Sequence, residues 1–234
     1  MQPFPRQLIL GHRGSPHVAL ENTLRSFAIA YESGADGVEL DVQRSRDGTP
    51  VVIHDDSLDR TMGVRGKLAA LPWPAIERLT EARVPSLHQT AAWAAASGAW
   101  LNVEIKDFDL EAAVMREIEA VGITDRVIVS TFESSILRRV GLVNDSVRRF
   151  LLITRWDARA MQVVRETDAD GVCLRLDAAT GTVLDDLRNR SLPVIVWTVN
   201  EVAEIRRLLD AGVAGLISDQ PELAARVRSQ TPSE

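Results

Sequence analysis

Short runs of β-branched and apolar residues recur along the chain: LILGH from residue 8, GVELDV from 37, LNVEIK from 101, VIVSTF from 127, FLLIT from 150, GVCLRL from 171, PVIVWTV from 193 and GLISD from 215. Most of the gaps carry a helical period instead. In NTLRSFAIAYESG, Leu24, Phe27, Ala28 and Tyr31 fall at i, i+3, i+4 and i+7, with Asn22 or Thr23 to cap the start and Gly34 to stop it. DLEAAVMREIEAVG and NEVAEIRRLLDAG repeat that grammar. Strand and helix in alternation predict parallel strands joined by crossover helices. Starts at 127, 149, 171, 193 and 215 are 22 residues apart, close to a minimal strand–helix unit. Eight such strands predict an α/β fold, a closed (β/α)8 TIM barrel.

One segment breaks the rhythm. After GVELDV the next apolar run, PVVIH, arrives too soon for a crossover helix, and the Asp-Gly of RDGT is a strong hairpin signal. Residues 50 to 54 are therefore expected to pair antiparallel with the second strand, as a ninth, extra strand. Residues 57 to 84 hold two Gly and two Pro within MGVRGKLAALPWPAIERL and show no long period. They read as a short insertion, an irregular excursion with one short helix. It is too small for a separate fold, so residues 1–234 are expected to form a single domain.

Within GVELDVQ, Val38, Leu40 and Val42 share one face of a strand while Glu39, Asp41 and Gln43 share the other. In an antiparallel sheet this would be a solvated acidic face. In a parallel barrel the apolar set packs on helices and the acids point inward, where they need a cation or hydrogen-bonding partners. LNVEIK repeats the anomaly with Glu104 and Lys106 on one face, a pattern that a structural Lys–Glu pair also explains. Together Glu39, Asp41 and Glu104 offer three oxygen ligands, a hard set suited to a divalent metal such as Mg²⁺ or Ca²⁺ rather than Zn²⁺. The runs GHRG and IHDD each deliver a histidine, His12 and His54, at a strand's C-terminal end, the catalytic rim of such a barrel. Two imidazoles there can divide the work of general base and general acid. Arg13 and Lys106 add positive charge for the non-bridging oxygens of a phosphate. His17 and His88 read as ordinary structural residues, since nothing around them converges.

The formal net charge is −6, and Lys and Arg form no stripe on any expected helix, so a small molecule is the expected partner and nucleic acid is not. Cys173, the single cysteine, lies in GVCLRL and reads as a packed core thiol, consistent with a reduced, cytoplasmic compartment. The apolar run near the N-terminus is too short for a secretory signal. The alanine-rich TAAWAAASGAWL falls well short of the ~18 residues needed to span a bilayer and reads as a packed helix entering a strand, so no membrane span is expected.

In order along the chain, GHRGSPHVALENTLRSF, GADGVELDVQRSRDGTPVVIHDDSLDRT, VPSL, NVEIK, WTVN and GLISDQP resemble the glycerophosphodiester phosphodiesterase family from about residue 8 to 222. The HRG, ExD, HD and ExK elements are specific jointly, each alone being weak. The resemblance implies a TIM barrel, a divalent cation and release of sn-glycerol 3-phosphate from deacylated phospholipids. It assigns His12 and His54 as acid–base histidines, Glu39, Asp41 and Glu104 as metal ligands, and Arg13 and Lys106 as phosphate contacts. Glu21 and Asn22 fall in the family's ENT element. Trp197 matches an aromatic at the edge of the site, although a buried core Trp fits it equally. Leu20 stands where the family usually has proline, and Met62 where a second threonine is common. The insertion after His54 is shorter than the family's, which bears on the alcohol preference.

The function expected from these residues is metal-dependent hydrolysis of glycerophosphodiesters to sn-glycerol 3-phosphate and an alcohol. The cation is expected also to gather glycerol hydroxyls, with the 2-hydroxyl attacking phosphorus before water completes the reaction; direct attack by water is the alternative. Two rival functions fit the same barrel. One is a lysophospholipase D-type cleavage of lysophospholipids, for which LAALPWPAIERL would supply a hydrophobic lip. The other is a non-catalytic barrel that binds phosphate esters, against which the retention of both histidines and all three acids argues.

Overall fold

A computed structural model describes residues 7–230. Among them nine strands form one sheet: β1 Leu8–His12, β2 Gly37–Arg44, β3 Pro50–Val52, β4 Trp100–Ile105, β5 Val127–Thr131, β6 Arg148–Ile153, β7 Gly171–Arg175, β8 Val194–Trp197 and β9 Gly215–Ser218. Eight of them close into a parallel barrel, in the order β1, β9, β8, β7, β6, β5, β4, β2 and back to β1. The extra strand β3 pairs antiparallel with the far end of β2, Val42 to Val52 and Arg44 to Pro50.

Helices occupy the expected gaps. The first, α1 (Leu24–Glu32), starts where the Thr23 side chain accepts from Ser26 N and stops before Gly34, whose φ is +104°. The excursion after β3 is more ordered than its sequence implies. It holds α2 (Asp59–Met62), a 3₁₀ turn (Leu68–Ala70) and α3 (Trp73–Leu79) before α4 (Leu87–Ser97) resumes the barrel. Short helices interrupted by Gly and Pro leave no readable period, and they are held by packing instead. Leu58, Met62, Leu68, Ile76 and Val84 form a small core with Val51 and Ile53. The hydrophobic lip that LAALPWPAIERL offered is thus mostly spent: Leu68 and Ile76 are buried in this core, with Leu71 and Trp73 packed against it.

The alternation of side chains along each strand divides the remaining apolar residues between two layers. Val38, Leu40, Val42, Val103, Ile105 and Val129 face outward into a core shared with Phe27, Leu87, Met115 and Ile136 of the helices. Leu8, Leu10, Ile128, Phe150, Leu152, Ile195 and Ile217 form a separate cluster inside the barrel, with Cys173. Toward the C-terminal ends of the strands this inner face turns polar: Leu8 and Leu10 are followed by His12, and Glu39 by Asp41. No helix among the described residues is long and apolar enough to cross a membrane.

Candidate active site

At the end of β1 the chain turns sharply so that Arg13 folds back over the barrel. Arg13 takes a left-handed backbone (φ 55°), and Gly14 follows at φ +92°. A Cβ on Gly14 would lie 2.4 Å from Ser26 Oγ and 2.7 Å from its backbone, so this position of the HRG run excludes a side chain. The turn aims the Arg13 amide at Glu39 Oε2 (3.0 Å) and its guanidinium at Glu21 (3.0 Å) and Asp41 (3.2 Å). Asn22, also left-handed, donates its Nδ2 to Asp41 Oδ2 (2.9 Å), which fixes that carboxylate from the α1 side.

The three acids meet because of strand register. His12 pairs with Glu39 across β1 and β2, and Asp41 pairs with Glu104 across β2 and β4. One carboxylate oxygen from each of Glu39, Asp41 and Glu104 lies within 4.8 Å of the others. Glu39 and Asp41 are buried, and Lys106, just past β4, reaches Asp41 (3.1 Å) and Glu104 (2.8 Å). Charge is distributed unevenly. Asp41, although buried, is held below the ordinary carboxylate range by Lys106, Arg13 and the Asn22 hydrogen bond. Burial and the neighbouring Asp41 charge push Glu39 up to about 8, and the same two causes raise Glu104. Two cations therefore do not suffice for three carboxylates in this buried setting, and the all-oxygen set fits a hard divalent cation. Cys173 is no competing ligand, because burial pushes its thiol up.

Each histidine is backed by an aspartate. His12 Nδ1 lies 2.6 Å from Asp219 Oδ1, and Asp219 Oδ2 accepts from Asn200 Nδ2 at 2.7 Å. Burial disfavours the imidazolium of His12, but the Asp219 hydrogen bond and the Glu39 charge outweigh it and raise the pKa. His54 Nδ1 lies 2.7 Å from Asp55 Oδ1. The hairpin brings His54 in by two ties: Ile53 N donates to Asp41 O (3.0 Å), and Gln43 Nε2 donates to His54 O (2.7 Å). Since an ionised carboxylate only accepts, both rings carry hydrogen on Nδ1 and, when neutral, keep a lone pair on Nε2.

The structure brings together His12, Arg13, Glu21, Asn22, Glu39, Asp41, His54, Glu104 and Lys106. Trp197 stands beside them at the end of β8, donating from Nε1 to Cys173 O (3.1 Å), with its ring edge-on to Phe132 at 5.9 Å between centroids. It packs on the interior cluster while part-exposed, so it is neither a wholly buried core residue nor a free surface one. His17 and His88 are exposed, and His88 pairs with Glu117 instead. Residues that sequence reasoning passed over are Asp219, Asn200, Asp55 and Arg60. The signal for Asp219 was present: it follows inward-facing Ile217 by two residues, the alternation that singled out Glu39 and Asp41.

The comparisons with known proteins agree with this geometry. Residues 12–223 match the family model described as "Glycerophosphoryl diester phosphodiesterase family". A glycerophosphodiester phosphodiesterase from Caldanaerobacter subterraneus is 28% identical, with 93% of this chain and 96% of that one covered. The crystal structure of the glycerophosphodiester phosphodiesterase of Thermotoga maritima is 28% identical and superposes with a TM-score of 0.83 over 96% of this chain and all of that one (100%). An Oleispira antarctica phosphodiesterase, solved in complex with the product sn-glycerol-3-phosphate, shares the fold at a TM-score of 0.85 and 23% identity, covering 96% of this chain and 97% of that one. A match that begins at His12 and runs through β9, on a barrel that gathers those same motifs at one rim, leaves one conclusion: the chain belongs to the glycerophosphoryl diester phosphodiesterase family.

Proposed function

We propose that the chain hydrolyses glycerophosphodiesters to sn-glycerol 3-phosphate and an alcohol, with His12 and His54 as the acid–base pair and Glu39, Asp41 and Glu104 holding a divalent cation, Mg²⁺ or Ca²⁺. The observation that carries this reading is the placement of two aspartate-backed histidines at the strand ends around three clustered carboxylates. The family's name and the product named in the Oleispira antarctica complex support the substrate class.

The chemistry needs charge neutralisation, an activated nucleophile and a protonated leaving group. A cation held by the three acids would supply Lewis-acid neutralisation of the phosphate. Arg13 and Lys106 border the same acids and offer donors to non-bridging oxygens. One histidine Nε2 takes the proton of the attacking hydroxyl as the new bond to phosphorus forms; the other gives a proton to the alkoxide as the P–O bond to the alcohol breaks. If the attacking group is the glycerol 2-hydroxyl, the product is a cyclic phosphate, which water opens with the two proton transfers reversed. The rigid Nδ1 contacts to Asp219 and Asp55 keep both rings oriented through either step.

The whole chain, residues 1–234, acts as a single domain. Its 57–84 insertion shares a core with Val51 and Ile53 and reaches the site through Arg60, which pairs with Asp55 and Glu21. The test is an assay of the purified protein with Mg²⁺ or Ca²⁺ on glycerophosphocholine, with lysophosphatidylcholine alongside. Formation of sn-glycerol 3-phosphate and choline is expected. Cleavage of lysophosphatidylcholine alone would replace the substrate class, and failure to turn over either would remove the enzymatic reading.

A further inference from the structure

Arg60 lies in the insertion, on the single turn of α2, and the chemistry above gives it no part. Leu58 and Met62 on this turn enter the small core of the insertion, and Gly63 ends the turn in a left-handed conformation (φ 67°). Arg60 points the other way. Its guanidinium donates from Nε and Nη2 to the two oxygens of Asp55 (2.5 and 3.2 Å) and from Nη2 and Nη1 to the two oxygens of Glu21 (2.7 and 3.0 Å). Each of those carboxylates already engages a residue of the site. The Asp55 oxygen that faces Arg60 Nη2 also meets His54 Nδ1, at 2.7 Å, and the Glu21 oxygen that faces Nη2 also accepts from Arg13 Nη1, at 3.0 Å.

One planar group thus spans the two sides of the site, His54 on the hairpin and Arg13 on the β1–α1 turn. A surface ion pair with one contact contributes little. A fork that holds two carboxylates at once fixes their relative position, and a lysine ammonium does not reproduce it. The Arg60 hydrogen bonds are also the leading cause that holds Asp55 down to about 2.

We propose that Arg60 is a positioning residue that sets His54 and Arg13 in register with each other, coupling the insertion to the catalytic apparatus. This rests on the acid–base role given to His54 and the phosphate contact given to Arg13.

The test compares Arg60→Gln and Arg60→Lys with Lys67→Ala, an exposed residue of the same insertion outside the site. With saturating Mg²⁺ or Ca²⁺ and glycerophosphocholine, Arg60→Gln should lower kcat by about 10- to 100-fold, the scale for residues that orient a reacting group. Arg60→Lys should recover only part of this, and Lys67→Ala should match wild type. The losses in Arg60→Gln and in Asp55→Asn should combine to less than their product, because Asp55 is one of the two carboxylates through which Arg60 acts, Glu21 being the other. Independently of turnover, the His54 ring Nδ1–H proton resonance should shift in Arg60→Gln and not in Lys67→Ala. Wild-type kcat in Arg60→Gln, multiplicative losses in the double variant, or an unmoved His54 resonance would overturn the positioning role. If the wild-type protein hydrolyses no glycerophosphodiester, the proposed function fails, and the resonance alone then decides whether Arg60 positions His54.

Discussion

His12 Nδ1 and Asp219 Oδ1 lie 2.6 Å apart although 207 residues separate them in the chain. They meet because β1 and β9 are neighbours in the barrel, Gly11 pairing with Ser218 just before each side chain leaves its strand. Asp219→Asn keeps the size of the group but removes the obligatory acceptor, and its amide can donate to Nδ1 and stabilise the wrong tautomer. A fall in kcat of about 10²-fold or more is expected, with the thermal midpoint little changed. Full activity in this variant would leave Asp219 with a structural role only.

Replacing His12 or His54 by Ala should lower kcat by about 10²–10⁴, the usual scale for losing a general acid or base. His17→Ala and His88→Ala should stay near wild type, since both rings are exposed and His88 contacts Glu117 instead. Steady-state kinetics on the four variants, with unfolding curves to confirm the fold, separates the two pairs. A defect in His17→Ala equal to that in His54→Ala would mean that the wrong pair has been chosen.

Most of the barrel was legible because its parallel strands are covered on both sides and read as apolar runs at regular spacing. The acids at Glu39, Asp41 and Glu104 stood out for the same reason, as carboxylates where burial calls for apolar side chains. The limits are equally physical. Residues 50 to 54 read as one strand, yet β3 ends at Val52: Ile53 N still bonds in register to Asp41 O, but Asp41 N donates to Asn22 Oδ1 and the His54 carbonyl accepts from the Gln43 side chain instead of a ladder partner. The helices α2 and α3 exist through contacts with Val51 and Ile53, which no local period records. Asn200 and Arg60 act on partners 19 and 39 residues away, through side chains outside the strands, where alternation no longer applies.

The Asp55–Arg60 contact gives a pH-dependent stability with a defined sign. Folding lowers the Asp55 pKa from 3.8 to about 2, so the unfolded chain binds the proton first as pH falls. The stabilisation is complete above about pH 5 and is lost as pH drops through the folded value. Arg60→Gln should therefore have a lower thermal midpoint than wild type at pH 5, and the gap should narrow toward pH 2. A gap independent of pH would show that Arg60 stabilises by packing and not by charge.

Turnover should require a divalent cation, because Glu39 and Glu104 are buried beside Asp41 and two cationic side chains leave the cluster under-neutralised. EDTA treatment, with metal removal verified by elemental analysis, should abolish activity, and Mg²⁺ or Ca²⁺ should restore it. Since a ligand that binds the folded state raises its stability, the thermal midpoint should also rise on adding the cation to wild type and not to Asp41→Asn. Full activity in metal-free protein would exclude the assignment of the three acids as ligands.

Substrate choice should fall on the glycerol half of the molecule. The insertion's wall beside the acids offers a charge that is already matched within the chain, Arg60 with Asp55 and Glu21, and so no unpaired charge to select a headgroup. Choline, ethanolamine and glycerol esters should then be cleaved with modestly different kcat/KM. The glycerol 2-hydroxyl is another matter if it attacks phosphorus, because a nucleophile held within the substrate carries the advantage of an intramolecular reaction and its removal forfeits the whole of it. The 2-deoxy analogue of glycerophosphocholine should lose far more in kcat/KM than any exchange of headgroup. Transient appearance of the cyclic 1,2-phosphate in ³¹P spectra of the normal substrate would accompany that result. Equal rates for the two compounds would instead mean that water attacks phosphorus directly, with one histidine taking its proton and the other protonating the departing alcohol.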